Sequence, residues 1–247
     1  MKADPFAQLK LLDVQELDSR ADLLRHQKAS LPELAEIDSL TQSHTELLDQ
    51  QRDAQIVVDD LVAEQAKADA DVEQVKTRRT RDRERMDQGL ITNPKDLSRM
   101  QQELVSLERR IASLEDTEIE IMERLEAAQA ALDMLTSQLA GTDARLADVV
   151  AHRDEKTAGI ERDLAAIEAE RLPLVADLPA DLLALYDKLR ASKNGVGAAH
   201  LRARQCSGCM LTLDNAELGV IKASPSDEVI RCEECQRILV RTSESGL

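Results

Sequence analysis

The only four cysteines of this 247-residue chain fall in two short pairs, Cys206-Ser-Gly-Cys209 and Cys232-Glu-Glu-Cys235, with 22 residues between them. A CxxC pair on a tight turn presents two sulfurs to one point. Two such knuckles bring four thiolates tetrahedrally onto a single soft or borderline metal, for which Zn²⁺ is the usual occupant. One structural zinc ion held by Cys206, Cys209, Cys232 and Cys235 is the expectation. Iron in a rubredoxin-like site takes the same ligand geometry, so spacing alone leaves the two metals open. A redox dithiol needs one CxxC in a thioredoxin-like βαβ setting, which is not legible here. Catalytic zinc needs an open coordination position, which four thiolates close. His200, six residues before the first knuckle, reads as an exposed or strand-facing histidine rather than a ligand.

Elsewhere the reactive side chains form no constellation. His26, His44 and His152 have no Ser, Cys or Asp arrangement suited to nucleophilic catalysis, and no phosphate-cradling GK[ST] loop occurs. The reading is of a non-enzymatic protein. Two groups of basic residues stand out as candidate partner surfaces. Lys76, Arg78, Arg79, Arg81, Arg83 and Arg85 are opposed locally only by Asp82 and Glu84, and Lys95 and Arg99 face them across an expected turn. Such a patch suits phosphates or an acidic protein surface, although a basic helix end also complements the helix dipole. Arg202, Arg204, Arg231, Arg237 and Arg241 surround the cysteines and are candidates for a ribbon surface.

The elements that carry these groups are mostly helical. One Phe, one Tyr and no Trp, with few Gly and Pro, exclude an ordinary aromatic-rich core and point to a coiled coil. A first block, about 5–87, is expected to break near Ser30-Leu-Pro32-Glu33, with Ser30 as the N-cap of the second part. Beyond the break Ile37, Leu40, Leu47, Ala54, Val58, Leu61, Ala68, Val72 and Val75 keep a 3-4 spacing interrupted by His44, Gln51 and Gln65. Gly89 then ends a helix and Asn93-Pro94 restarts one. The second block repeats Leu97, Leu104, Ile111, Glu118, Leu125, Leu132, Leu139 and Leu146, with Met100, Leu107, Leu114, Ile121, Ala128, Leu135, Thr142 and Val149 as companions. That pattern argues a left-handed supercoil. The short turn makes the blocks antiparallel neighbours, each arm on the order of 100 Å long.

The expected fold is therefore mainly α: an antiparallel coiled-coil hairpin over 1–175 with its turn near 88–94, a linking amphipathic helix over 176–195, and a C4 zinc ribbon over 196–247. Leu172-Pro173 is expected to end the rod. Strands at 198–205, 210–213, 229–231 and 237–241 would frame the ribbon, and Gly208 would ease its first knuckle. So small a module lacks apolar bulk, so metal ligation is expected to supply much of its folding free energy. Residues 196–247 carry six Lys/Arg and seven Asp/Glu, leaving −15 of the net charge of −16 to the first 195 residues. A rod this acidic is expected not to bind nucleic acid non-specifically along its length. No membrane-spanning run or apolar leader is legible, and the reading is a cytoplasmic protein that is a monomer or a coiled-coil dimer.

The order of these features resembles a bacterial family of coiled-coil proteins with a C-terminal C4-type zinc ribbon. The matching segments are Asn93-Pro-Lys-Asp-Leu97, the Leu182–Leu189 helix bearing Tyr186, Cys206-Ser-Gly-Cys209, and Cys232-Glu-Glu-Cys235-Gln-Arg-Ile-Leu239. The richness in Ala, Asp and Arg is similar to actinobacterial members. The resemblance implies an adaptor or chaperone with protein partners, linked to transcription through an alternative sigma factor or to flagellar or type III secretion machinery, with RNA binding as a further implication. The second knuckle departs from the family pattern CPxCGR, reading Cys-Glu-Glu-Cys-Gln-Arg, and Val240 replaces an aromatic. Two functions compete: a zinc-binding interaction protein, and an RNA- or DNA-binding protein using the ribbon and the basic tip. The near-neutral ribbon and the lack of aromatics for base stacking weigh against the second.

Overall fold

The computed structural model describes residues 1–247 as five helices and four short strands: α1 (Pro5–Ala29), α2 (Pro32–Asp87), α3 (Pro94–Ala176), α4 (Ala180–Ser192), β1 (Ala198–Arg202), β2 (Gln205–Cys206), α5 (Asn215–Ala223), β3 (Ile230–Arg231) and β4 (Ile238–Arg241). They form two compact units, one of residues 35–150 and one of residues 1–34 with 151–247.

The first unit is an antiparallel pair made from α2 and α3. Its seam follows the heptads: Val58, Leu61 and Val72 of α2 and Leu107, Ile111, Ile121, Leu132 and Val149 of α3 are buried, and the intervening 3-4 positions are mostly half-buried. Polar seam residues find partners across the pair. His44 Nε2 lies 2.9 Å from Asp143, and Gln51 donates to Thr136 at 2.9 Å. Ion pairs Arg145–Glu36 and Arg124–Glu64 sit alongside. Exposed pairs of this kind are worth little in stability, so their main effect is to favour one register. At the turn, Gly89 adopts φ +66 while Leu90 N–H donates to Arg85 O and Gly89 N–H to Met86 O, a Schellman closure. Asn93 then accepts the Lys95 N–H at 3.0 Å, with Pro94 opening α3.

The second unit is built around the sheet, in strand order β2-β1-β4-β3. β1 and β4 pair in parallel, with Ala198 opposite Ile238 and His200 opposite Val240, and the two outer pairings are antiparallel. Because side chains alternate along a strand, this sheet has two different apolar faces. Ala198, Ile238 and Val240 pack with Leu11 and Val14 of α1 and Leu182, Tyr186 and Leu189 of α4. Ala199, Leu201 and Leu239 pack with Cys206, Cys232, Leu213, Leu218 and Ile221. The chain start also joins this unit: Ala3 N–H donates to Asp227 O at 2.7 Å and Val229 N–H to Met1 O at 3.1 Å.

Several expectations need correction. A boundary at 195 does not isolate the ribbon, whose sheet shares a core with α1 and α4; the apolar bulk missing from 196–247 is supplied by residues 3–14 and 178–189. Ser30 closes α1 rather than opening α2, its N–H and hydroxyl donating back to His26 O. The helix α3 runs past Pro173 to Ala176, since a proline so near a helix end disturbs only the last turn. Residues 214–223, where no helix was expected, hold α5, with Asp214 accepting the Glu217 N–H at 2.7 Å as its N-cap.

A polar cluster ties α1 to the rest of this unit. The Gln15 carbonyl accepts the N–H groups of Gly197 (2.7 Å) and Ala198 (3.2 Å), and its amide donates to Gly195 O at 2.9 Å. Asp18, 6% exposed at its side chain, accepts from Tyr186 Oη at 2.8 Å and from Arg171 at 2.8 Å, with Arg190 at 3.5 Å. Burial, then the neighbouring Asp18 carboxylate, pushes the Tyr186 hydroxyl well above the ordinary phenol range.

Candidate metal centre

The two knuckles are built alike. In the first, Cys206 N–H donates to Leu211 O and Met210 N–H returns to Cys206 O. In the second, Cys232 N–H donates to Arg237 O and Gln236 N–H returns to Cys232 O. The residue after each second cysteine must turn through the left-handed region, and Met210 (φ 62) and Gln236 (φ 65) do so without being glycine. A non-glycine residue there costs about 1–2 kcal/mol. Gln236 recovers part of it by donating its amide to Cys232 O and Glu233 O. Met210 is 65% exposed and its side chain makes no such bond. Glycine in place of Met210 is therefore expected to stabilise the ribbon by about 0.5–1 kcal/mol, read as a higher unfolding midpoint in urea with unchanged zinc content.

The four sulfurs converge. All lie within 4.8 Å of one another, with Cys206 to Cys235 and Cys209 to Cys232 at 3.9 Å, and none forms a disulfide. A tetrahedron with zinc–sulfur bonds of about 2.3 Å has sulfur–sulfur edges of about 3.8 Å, so the donor set fits the ion. Backbone amides help to hold the charge: those of Gly208 and Cys209 lower the pKa of Cys206, and those of Glu234 and Cys235 lower that of Cys232. Burial outweighs them, raising Cys206 and pushing Cys232 up to about 12. At Cys235 burial is outweighed in the other direction, and the backbone N–H and guanidinium of Arg237 help bring its thiol down to about 7.

Gly208 is required for space rather than for the turn: a Cβ there would lie 2.7 Å from Arg237 Cδ and 3.0 Å from Ala199 Cβ. Arg237 is the supporting residue that its placement on a ribbon surface missed. Its guanidinium donates to Val196 O and Lys193 O, both at 2.9 Å, bracing the second knuckle against the chain that leaves α4. The remaining ribbon arginines also have internal partners. Arg241 donates to five carbonyls, those of Ile221, Ser224, Pro225, Ser226 and Glu228, and so latches α5 to the loop before β3. Arg202 pairs with Glu244, Arg204 donates to Gly246 O and Arg231 to Gln236 O. These five do not form an uncommitted cationic face. His200 is exposed on β1 and is not among the clustered ligands.

The basic cluster at the turn divides in two. Lys76 and Arg78 reach across the hairpin to Glu115 and Glu103, each at 2.6 Å. Arg78 and Arg81 also flank the buried Asp82, at 3.7 and 3.6 Å, and Arg99 lies 4.0 Å from Asp96. Arg83, Arg85 and Lys95 are exposed and make no ion pair, and Arg79 is half-buried without one.

Fold and site together define a coiled-coil hairpin protein with a C4 zinc ribbon. The family model of the CT398-like coiled coil hairpin domain matches residues 14–194, and that of the C4-type zinc ribbon domain matches residues 205–239. The chain belongs to the CT398-like hairpin family, and its four cysteines hold a structural zinc ion. It is 34% identical over 241 residues to Rv2229c and MT2288, uncharacterised proteins of two Mycobacterium tuberculosis strains, covering 98% of each chain. A solved Mycobacterium smegmatis structure is similar, with a TM-score of 0.83 and 31% identity over 98% of this chain and 100% of that one. CT398 from Chlamydia trachomatis shares the fold, with a TM-score of 0.68 at 18% identity over 96% and 98% of the two chains.

Proposed function

We propose that this chain is a non-enzymatic adaptor, chaperone-like in that it holds partners without transforming them, and that the hairpin turn is one of its docking points. The observation that carries this reading is the division of the basic cluster: Arg83, Arg85 and Lys95 remain exposed and unpaired beside Leu90, which is 65% exposed. An exposed apolar side chain on the same turn as unpaired cations suits an acidic protein surface with an apolar centre. The closed shell of four thiolates supports a structural rather than a chemical role for zinc. Four cysteines that form no disulfide suit a reducing compartment, and we place the protein in the cytoplasm. No helix is long and apolar enough to cross a membrane.

The test is a comparison of full-length protein with the charge-reversed variant Arg83→Glu/Arg85→Glu/Lys95→Glu in affinity purification from the native host. The tip reading requires that at least one protein be lost with the variant and regained when the wild-type residues are restored. Identical recovery by both removes it. A parallel titration with RNA and DNA across salt concentrations separates the competing function. Binding that weakens steeply with salt and vanishes in the variant would replace a protein partner with nucleic acid.

A further inference from the structure

A groove of about 680 Å³ runs along one side of the α2–α3 pair, away from the turn. Its floor is apolar: Val62 on α2 and Ile119 and Met122 on α3 are about half exposed (50%, 54% and 48%), with Ala130 beyond them. These are not seam positions; Val58, Leu61 and Ile121 of the seam are buried. On α3 the residues Ile119, Met122, Glu126, Ala130 and Asp133 succeed one another at spacings of three or four, forming one stripe along the helix. Every charged residue lining the groove is acidic: Glu123, Glu126 and Asp133.

We propose that this groove is a docking site for a basic amphipathic helix of a partner protein, packed as a third helix against the pair. The shape argument is that two antiparallel helices leave a longitudinal furrow whose complement is another helix, anchored through side chains at i, i+3, i+4 and i+7. Residues 119–133 span about 21 Å, or four helical turns, which sets the length of the segment that fits. Lys or Arg residues flanking the apolar face of the guest meet the acidic wall, and a guest with acidic flanks is repelled. A second copy of this chain is a poor occupant, because face-to-face pairing sets Glu123, Glu126 and Asp133 against like charges. The inference rests on reading the chain as an interaction protein, but it uses a different surface from the turn and a partner of opposite charge.

The experiment uses the full chain and fluorescein-labelled 18-residue peptides of leucine and lysine. One has leucines at helical i, i+3, i+4 spacing, one has the same pattern with glutamate for lysine, and one has the leucine–lysine composition scrambled to remove the apolar face. Fluorescence anisotropy is expected to show binding of the first peptide, no binding of the glutamate peptide, and binding of the scrambled peptide weaker by about tenfold or more. The variant Val62→Glu/Met122→Glu should weaken the first peptide by a similar factor, with its thermal melt recorded alongside so that the loss is read from folded protein, both side chains being half exposed. The turn variant Arg83→Glu/Arg85→Glu/Lys95→Glu should leave peptide binding intact, so a failed groove and a failed turn are told apart. Equal binding of the ordered and scrambled peptides, or no effect of the groove variant, overturns the proposal. Sedimentation velocity showing a dimer that Val62→Glu/Met122→Glu dissociates also overturns it, in favour of a second copy as occupant.

Discussion

Serine in place of Cys232 is expected to take the zinc content from one ion per chain to none and to unfold more than the ribbon. A structural zinc ion bound by four thiolates contributes about 10–16 kcal/mol of apparent free energy at neutral pH, as much as or more than the whole stability of a typical domain. Cys232 is 1% exposed and packs with Ala199, Leu201 and Leu239 on the metal face of the sheet. The opposite face of the same strands carries Ile238 and Val240 against Leu11, Val14 and Tyr186. Losing the sheet therefore removes the surface on which α1 and α4 rest. Hydrogen exchange should show protection lost across 198–241 and lowered across α1 and α4, while residues 35–150 keep theirs. Elemental analysis gives the zinc count. Persistent protection of 198–241 without zinc would mean that the core shared with α1 and α4 suffices alone, and the metal would no longer be the staple of this unit.

Alanine in place of Asp18 is the second large change. It leaves the Tyr186 hydroxyl, in a side chain with 0% exposure, without its 2.8 Å acceptor. It also takes the carboxylate from Arg171, and leaves Arg190 with Asp22 at 2.6 Å as its ion partner. Removing one member of a buried ion pair costs about 3–5 kcal/mol. The lower end applies here, because Arg171 and Arg190 keep 28% and 24% of their side-chain surface in water. Urea unfolding should show a loss of about 3 kcal/mol, with Asp18→Asn intermediate because an amide oxygen still accepts from Tyr186. A loss below about 1 kcal/mol in the alanine variant would show that the cluster contributes no more than an exposed ion pair.

What was legible in the residues was what local rules encode. The heptads of α2 and α3 predict which positions are occluded because a supercoil repeats one contact many times, and Gly89 and Asn93-Pro94 carry their turn in their own backbone preferences. The cysteine spacing carries the metal centre in the same way. The docking of α1 was not legible. Gln8, Gln15 and Asp18 are buried, yet by type they belong to a solvated helix face; each has at least one partner more than 150 residues away in sequence. Arg237 and Arg241 were misplaced on a surface for the same reason, since a guanidinium that caps backbone carbonyls looks identical in sequence to one that faces a phosphate. The helix α5 did have a signal, Asp214 followed three residues later by Glu217, but Gly219 in its middle weakens the helical pattern, and the strands expected at 210–213 and 229–231 leave this segment between them unassigned.

The pairing of α1 with the sheet also sets a timetable for synthesis. Leu11 and Val14 have their partners in Leu182, Tyr186, Ile238 and Val240, so the first helix emerges from the ribosome with nothing to cover its apolar face. At about 5–20 residues per second that interval lasts on the order of ten to forty seconds. During it α2 and α3 can pair through contacts nearer in sequence, which close faster. The cysteine-bearing segment, made after both arms of the hairpin, then completes with its metal a unit that α1 began.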